Sequence, residues 1–290
     1  MTKNLTTVVS SKTQTVEINR DNPTVIIGER INPTGRKKML KALQEGNFDM
    51  VKDDALSQVA AGAKILDVNA GVPGADEVAL LKDVLSIVME VTEVPLCIDT
   101  ADKEALAAAL ALYEVKALIN SVNGEEDSLD AVLPLAKEYG ASLIGLCMDD
   151  DGIPETSDQR LAVAAKIIER ADKFGIPVED IVIDPLALTM GADHTAGHLA
   201  LESIAKIVAE FGVNITMGAS NISFGMPDRR HINSTFIAMA VHAGLTCPIT
   251  NPLTSDVAIA VLAADLVMGR DNYGMNWIKA YRARQKEEEK

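Results

Sequence analysis

The sequence predicts an α/β fold, specifically a (β/α)8 barrel. Short apolar segments alternate with amphipathic helical segments eight times along the chain, which is the pattern of a parallel sheet built from βα units. The length of 290 residues suits a barrel, which typically takes about 250 residues. The alternative is a doubly wound open sheet. That fold predicts a glycine-rich phosphate turn after the first strand, but residues 28–35 contain no G-x-G-x-x-G pattern.

Eight strands are predicted, each short, apolar and bounded by Gly, Pro, Asp or Asn, as buried parallel strands are. They cover residues 24–29, 64–70, 95–100, 117–120, 142–148, 181–185, 214–220 and 247–251. The helices between them are predicted from apolar residues at spacings of three and four. Four of these helices are followed by a glycine, a frequent signal for a helix end: Gly140, Gly175, Gly212 and Gly244.

The chain is predicted to hold one barrel domain, residues 24–290, behind an N-terminal extension, residues 1–23. No linker divides the chain, and no internal repeat is longer than one βα unit. Residues 16–19 are predicted to add a strand that caps the floor of the barrel. We therefore expect a single core and no second module.

Composition excludes several classes of protein. The chain has 42 acidic and 27 basic residues, a net charge of −15, and this argues against nucleic acid because phosphate binding needs clustered Lys and Arg. No apolar run is long enough to span a membrane, and the first 22 residues lack the apolar segment of a signal peptide. Three widely spaced cysteines without a C-x-x-C pair indicate a reducing compartment. We expect a cytoplasmic enzyme that acts on a small molecule.

Polar side chains collect where the predicted strands end, which in a barrel is the face that carries the active site. This strand-end cluster consists of Glu29, Asp67, Asn69, Asp99, Asn120, Asn123, Asp149, Asp184, Ser220 and Asn221. Each member alone has another interpretation, because Asp or Asn after a strand often caps the following helix. Several of them converging on one opening favour a binding site. The cluster contains no His and no Lys.

The cluster favours a flat heterocycle over a metal or a phosphate. Asp67, Asp99 and Asp184 offer hard-cation ligands, but no His joins them, so no metal site is predicted. An acidic opening disfavours phosphate. A pterin presents an amino group and a ring N–H side by side, and a buried carboxylate accepts both in a forked pair. Carboxamides match the mixed donors and acceptors elsewhere on such a ring.

Six short motifs, in order and in register with the strands, resemble those of the pterin-binding methyltransferases. This family includes methyltetrahydrofolate:corrinoid/iron–sulfur protein methyltransferase and the folate domain of cobalamin-dependent methionine synthase. The motifs are GERIN (28–32), LDVN (66–69), CIDT (97–100), INS (119–121), IDP (183–185) and GASNIS (218–223). The resemblance covers residues 24–285 and implies a barrel like that of dihydropteroate synthase.

The resemblance also implies an activity, a methyl transfer between the N5 nitrogen of tetrahydrofolate and the cobalt of a corrinoid. Tetrahydrofolate and 5-methyltetrahydrofolate would be substrates, a separate corrinoid protein would be the partner, and a homodimer would be the assembly. The implied pterin-binding residues are Asp99, Asn120 and Asp184. Asn221 would hydrogen-bond at N5 as the catalytic residue, and Arg229 would be a basic residue near the folate. Glu29 and Asp67 match motif positions, and they either contact the ligand or fix loops.

Two alternatives stay open at this point. Dihydropteroate synthase shares the barrel and the pterin site, but it would have a Lys at the seventh strand and an Arg-x-His near the eighth. Those strands here end in GASN and CPITNP. A non-catalytic folate-binding subunit is the second alternative, and it would be expected to lack Asn221 or a pterin carboxylate.

Overall fold

Eight parallel strands form a closed barrel in this computed structural model, which describes residues 4–288. The strands are hydrogen-bonded in the order β10-β3-β4-β5-β6-β7-β8-β9. The barrel strands are β3 (Ile27–Ile31), β4 (Ile65–Asn69), β5 (Leu96–Asp99), β6 (Leu118–Asn123), β7 (Ser142–Leu146), β8 (Ile181–Asp184), β9 (Asn214–Ile215) and β10 (Ile249–Thr250). The ring closes between the last two strands, where Ile249 N donates to Met217 O at 2.9 Å. This confirms the predicted (β/α)8 barrel.

The helices surround this barrel. They are α1 (Lys37–Gln44), α2 (Asp49–Ala60), α3 (Glu77–Val91), α4 (Lys103–Leu112), α5 (Glu126–Tyr139), α6 (Ser157–Lys173), α7 (Ala196–Phe211), α8 (Arg229–Ala243), α9 (Ser255–Val267) and α10 (Met275–Glu288). The outward side chains of the strands pack against these helices in one continuous apolar core. No helix within the described residues is long and apolar enough to cross a membrane.

Two predicted strand bounds are wrong in ways that matter for the site. The seventh barrel strand is predicted to run to residue 220, but β9 ends at Ile215 because the chain turns into a 3-10 helix, Ala219–Ser223. The first barrel strand is predicted to end at residue 29, but β3 continues to Ile31 past a register shift. Both differences place polar residues of the opening on irregular backbone.

The N-terminal residues form a hairpin against the floor of the barrel. Strand β2 (Thr15–Ile18) lies where residues 16–19 are predicted to be a strand, and it pairs antiparallel with β1 (Thr7–Ser10), which the sequence analysis missed. Val9 and Ile18 are fully buried with the side chains of the barrel interior. The division into an extension and a barrel stays a prediction, and residues 1–3 and 289–290 lie outside the described residues.

Candidate active site

The interior of the barrel changes from apolar to polar toward the carboxyl ends of the strands. Since alternate residues of a strand face the same side, five of the strands contribute an apolar residue below and a polar one above. The apolar layer contains Ile27, Ile65, Cys97, Leu118, Ile144 and Val182. Two positions further along lie Glu29, Asp67, Asp99, Asn120 and Asp184, with Leu146 in the position above Ile144. The predicted pterin-binding residues therefore share one layer of the barrel.

Asp67 is the most deeply buried carboxyl group of this layer. It is 3% exposed, and Asn120 Nδ2 donates to its Oδ1 at 3.0 Å. Burial raises the pKa of Asp67 well above its usual range, and the neighbouring Asp99 charge raises it further. The Asp67 carboxyl also accepts a hydrogen bond from the Cys97 thiol. Asp67 therefore holds its proton more tightly than an ordinary aspartic acid does.

Asp99 lies one step closer to the opening, between two carboxamides. It is the register partner of Asn69 on β4 and of Asn120 on β6. Burial raises the pKa of Asp99 to about 6, and hydrogen bonds to its carboxylate from Asn69 and Asp67 oppose that rise. A hydrogen bond between two carboxyl groups requires a proton, and burial favours its placement on Asp67, the more deeply buried of the two.

Asp184 ends β8 and closes a tight turn. Its Oδ1 accepts from the backbone N–H of Leu186 at 2.7 Å, and Leu186 has a positive φ of 66°. The carboxylate also accepts from the backbone N–H of Gly218. Burial raises the pKa of Asp184 to about 7, while these two hydrogen bonds and the Arg160 charge oppose the rise. The turn fixes this carboxyl group in the wall of the opening.

Glu29 is held at a bulge in β3. The register shifts between Gly28 and Ile31, and the freed N–H of Arg30 donates instead to Gln58 Oε1 at 2.9 Å. Burial raises the pKa of Glu29 to about 7, against the charges of Arg30 and Arg229 and a hydrogen bond with Ser220. Glu29 thus links the first barrel strand to the loop after β9.

Asn221 and Arg229 lie in that loop, on the rim of the opening. The Asn221 side chain is exposed and has no hydrogen-bond partner among residues 4–288, so its amide is available to a ligand. Arg229 donates to Ser220 O at 2.7 Å and to Ser223 Oγ at 3.0 Å, and its guanidinium lies 5.7 Å from the centre of the Phe224 ring. Arg229 therefore braces the 3-10 helix that carries Asn221.

Two further members of the strand-end cluster, like Asp184, accept a hydrogen bond from the backbone of the turn that follows them. Asn123 Oδ1 accepts from the N–H of Glu125, and Asp149 Oδ1 accepts from the N–H of Asp151. Both are turn contacts between residues two apart, the role that short polar side chains commonly take after strands. Among the residues described, no group of three or more His, Cys, Asp or Glu side chains is placed to hold a metal ion.

The structure also reveals site residues that the sequence analysis missed. Gln58 is fully buried behind the β3 bulge, and a Cβ at Gly28 would lie 2.6 Å from its Oε1. Cys97 contacts Asp67 from the adjacent strand, and Arg160 holds the loop after β8. Gln58 and Arg160 lie on helices with no local motif, so only the tertiary structure shows their role.

These features define a class of site: a polar, largely acidic opening above an apolar floor, with Leu146 and Ile249 packed on the layer beneath. The residues of this opening named above offer several hydrogen-bond acceptors, and none of them is a lysine or a histidine. Over residues 28–251 the chain matches the family described as pterin binding enzyme. The chain belongs to this family.

Comparisons with individual proteins show which members of the family this chain is similar to. The chain is 32% identical over 263 residues to the methylcorrinoid:tetrahydrofolate methyltransferase of Eubacterium limosum, covering 89% of this chain and 96% of that one. It is 28% identical over 256 residues to the methionine synthase of Mycobacterium tuberculosis, covering 84% of this chain but 22% of that protein. These matches confirm the resemblance stated from the motifs and support the methyltransferase class.

The fold itself is shared with a different enzyme. The dihydropteroate synthase of Yersinia pestis superposes with a TM-score of 0.66 at 16% identity, covering 91% of this chain and 99% of that one. One from Xanthomonas albilineans, solved with 4-aminobenzoic acid, gives 0.66 at 19% identity over 90% of this chain and 98% of that one. Identity at this level shows the barrel and leaves the activity to the site and the closer relatives.

Proposed function

We propose that this chain is a methyltransferase that moves a methyl group between the N5 nitrogen of tetrahydrofolate and the cobalt of a corrinoid carried by another protein. The observation that carries the proposal is the layer of Asp99, Asn120 and Asp184 in the barrel opening, with Asn221 on the rim above it. The likeness to the Eubacterium limosum enzyme over nearly the whole chain supports the same chemistry.

The pterin end of the folate is the part this site fits. Asp99 is ionised above about pH 6 and Asp184 above about pH 7. A carboxylate in a partly dry cavity accepts the paired N–H groups of a pterin edge in short, charge-assisted hydrogen bonds. Asn120 supplies a carboxamide beside them, while Leu146 and Ile249 form an apolar surface beneath a flat ring.

Asn221 is proposed to act at N5. A methyl group on a tertiary amine transfers poorly because the amine is a weak leaving group, and a proton or a strong hydrogen bond at N5 improves it. A carboxamide both donates and accepts, so Asn221 can follow N5 as its protonation changes. A carboxamide is not an acid, so another group must supply the proton. Glu29, whose pKa burial raises to about 7, forms a hydrogen bond with Ser220 in the loop that carries Asn221, and its carboxyl group is able to exchange a proton.

The corrinoid is expected to approach from the open side. When presented there, it supplies the cobalt that exchanges the methyl group with N5, and this chain needs no nucleophile of its own. The loops after β7, β8, β9 and β10 expose large apolar side chains around the rim: Ile153, Leu188, Phe224 and Leu253. Exposed apolar groups beside a site are typical of a surface that binds another molecule, and the corrinoid protein is the occupant this reaction requires.

A homodimer is proposed from a second apolar surface. The end of α9 and the start of α10 expose Val267 at 85%, Tyr273 at 96% and Met275 at 64%. Sedimentation of the purified protein tests this: a dimer that Val267→Asp dissociates supports the proposal, and a monomer at micromolar concentration contradicts it. The cytoplasmic location stays a prediction.

Dihydropteroate synthase is the second candidate, because it shares the barrel fold. One assay separates the two. Purified protein is mixed with tetrahydrofolate and methylcobalamin, a soluble stand-in for the corrinoid protein, and 5-methyltetrahydrofolate is measured by chromatography. A parallel mixture contains dihydropterin pyrophosphate and 4-aminobenzoate. Methyl transfer without dihydropteroate supports the proposal, and the reverse result contradicts it. Tight folate binding with neither product favours a non-catalytic subunit.

A further inference from the structure

Arg160 is a buried cation without a carboxylate to pair with. It lies in the first turn of α6, is 1% exposed, and forms no ion pair within residues 4–288. Its hydrogen bonds go to backbone carbonyl groups instead. Nη1 donates to Pro185 O at 2.7 Å and to Leu186 O at 2.8 Å, and Nε donates to Pro154 O at 3.3 Å. The start of a helix disfavours a positive charge. A buried arginine in this position is costly for folding alone, which indicates another role.

The loop that Arg160 holds is the one that shapes the pterin site. Pro185 and Leu186 follow Asp184 directly, and the N–H of Leu186 donates to the Asp184 carboxylate. The same carboxylate accepts from the N–H of Gly218, at the start of the segment that carries Asn221. Arg160 thus lies behind a continuous path of contacts from α6 to the rim of the opening.

The charge of Arg160 also affects Asp184. Three ionisable groups from the packed elements lie near Asp184: Arg160, whose charge opposes the rise in the Asp184 pKa, and Cys147 and Cys247, whose own pKa values the Asp184 charge raises. Burial raises the pKa of the Cys247 thiol to about 12 and that of Cys147 further, so both are neutral. Arg160 is therefore the charged member of this set, and a positive charge favours the carboxylate form of Asp184.

We propose that Arg160 is a positioning residue for pterin binding: its hydrogen bonds fix the loop after β8, and they place a positive charge behind the Asp184 carboxyl group. The pterin part of this statement rests on the proposed function. The effect of Arg160 on Asp184 does not rest on the proposed function, so this effect and pterin binding can be tested separately.

The first test measures tetrahydrofolate affinity by calorimetry between pH 6 and pH 8. Arg160→Met removes the charge and the three hydrogen bonds, and we expect a loss of roughly tenfold in affinity at pH 7. The pH at which affinity is half its maximum is expected to move upward, a change that loosened structure alone would not cause. Arg160→Lys keeps the charge but lacks the guanidinium group that binds both carbonyl groups of the loop. Its pH profile is therefore expected to stay near that of the wild type while its affinity falls.

The matched control is Arg170→Met, on the same helix, where the guanidinium forms surface ion pairs with Glu126 and Asp130. Its affinity and pH profile are expected to equal those of the wild type. If Arg160→Met binds like Arg170→Met, the inference is wrong. If Arg160→Met does not fold, an unchanged affinity in Arg160→Lys overturns it equally.

The second test follows the Asp184 carboxyl by NMR in the ligand-free protein, with Asp184→Asn to assign its signal. We expect a higher pKa in Arg160→Met than in the wild type, and equal values overturn the inference. A wild-type protein that binds no tetrahydrofolate, together with the expected NMR result, contradicts the proposed function while leaving the effect on Asp184 in place.

Discussion

Asn120 Nδ2 donates to Asp67 Oδ1 across the strand between them, at 3.0 Å. This contact joins a residue predicted to bind pterin to one that is almost fully buried beneath it. It fixes the orientation of the Asn120 carboxamide, so that its carbonyl oxygen faces away from Asp67. Asp67 also forms a hydrogen bond with Asp99, so it supports two groups that are predicted to bind the ligand.

Asp67→Asn is expected to keep tetrahydrofolate affinity within about threefold of the wild type, because an amide still donates to Asp99 and still accepts from Asn120. Asp67→Ala removes both hydrogen bonds and leaves two buried polar groups without partners, at a cost of about 1–3 kcal/mol each. We expect it to lose about tenfold or more in affinity. Calorimetry on the two variants measures the difference. Equal affinities in both would show that Asp67 does not support the site.

Asp184→Asn is expected to weaken tetrahydrofolate binding by about 2 kcal/mol or more, roughly thirtyfold, since a neutral amide cannot accept both donors of the pterin edge. The matched control is Asp180→Asn, the same change just before β8, where the carboxylate pairs with Lys116 at 2.5 Å on the floor side of the barrel. The control is expected to bind as the wild type does. A comparable loss in both variants would indicate general damage to the fold.

The ligand-free protein is expected to lose stability as the pH rises from about 4 to about 7. Burial raises the pKa of Asp99 to about 6 and those of Glu29 and Asp184 to about 7. In the unfolded chain these groups titrate near pH 4. The folded state therefore holds more protons between pH 4 and 7, and its free energy of unfolding falls through that window, by on the order of a few kcal/mol in total.

Thermal unfolding at several pH values measures this trend, and Asp184→Asn is expected to make it shallower. Tetrahydrofolate should oppose it, because the pterin edge binds the ionised carboxylates, so the rise in Tm on adding folate is larger at pH 8 than at pH 5.5. A folate effect that is greatest at the lower pH would mean that the protonated acids are the binding form.

Asn221→Ala is expected to lower kcat for methyl transfer by about 100-fold, the range found when one hydrogen-bond donor to a reacting centre is removed. Folate affinity should fall as well, by a smaller factor, because the pterin carboxylates are untouched. Steady-state rates with methylcobalamin and tetrahydrofolate measure both effects. Asn276→Ala, at an exposed asparagine on α10, serves as the control. Wild-type turnover in Asn221→Ala would remove Asn221 from the reaction.

Much of the site is legible in the sequence because a parallel strand alternates its side chains with a strict period of two. Apolar residues followed two positions later by Asp or Asn predict inward polar groups at the strand ends, and Asp99, Asn120 and Asp184 lie there. The same rule over-predicts, since Asp149 also satisfies it, two positions after Cys147, and its side chain is used by a turn. Whether a short polar side chain serves its own backbone or a ligand depends on local geometry.

The rest depends on contacts between residues far apart in the chain. Arg160 occupies an ordinary position in an amphipathic helix, and only the packing of α6 under the loop after β8 buries it. The bulge at Glu29 depends on Gln58, which lies 28 residues away from the N–H it accepts. Strand β1 was missed because it has only four residues, and its buried positions, Thr7 and Val9, do not form an alternation of apolar and polar residues.

The central claim is that the barrel opening brings the N5 methyl group of a bound folate within reach of a corrinoid cobalt. The most direct test is a rapid-mixing experiment with the purified protein, 5-methyltetrahydrofolate and cob(I)alamin, followed by the absorbance of the reduced cobalt. This band is expected to decay as methylcobalamin forms, with one tetrahydrofolate released for each methylcobalamin. Asp99→Asn is expected to abolish the decay. If calorimetry shows that the protein binds the folate but the band decays no faster than in the protein-free mixture, the proposed methyl transfer is contradicted.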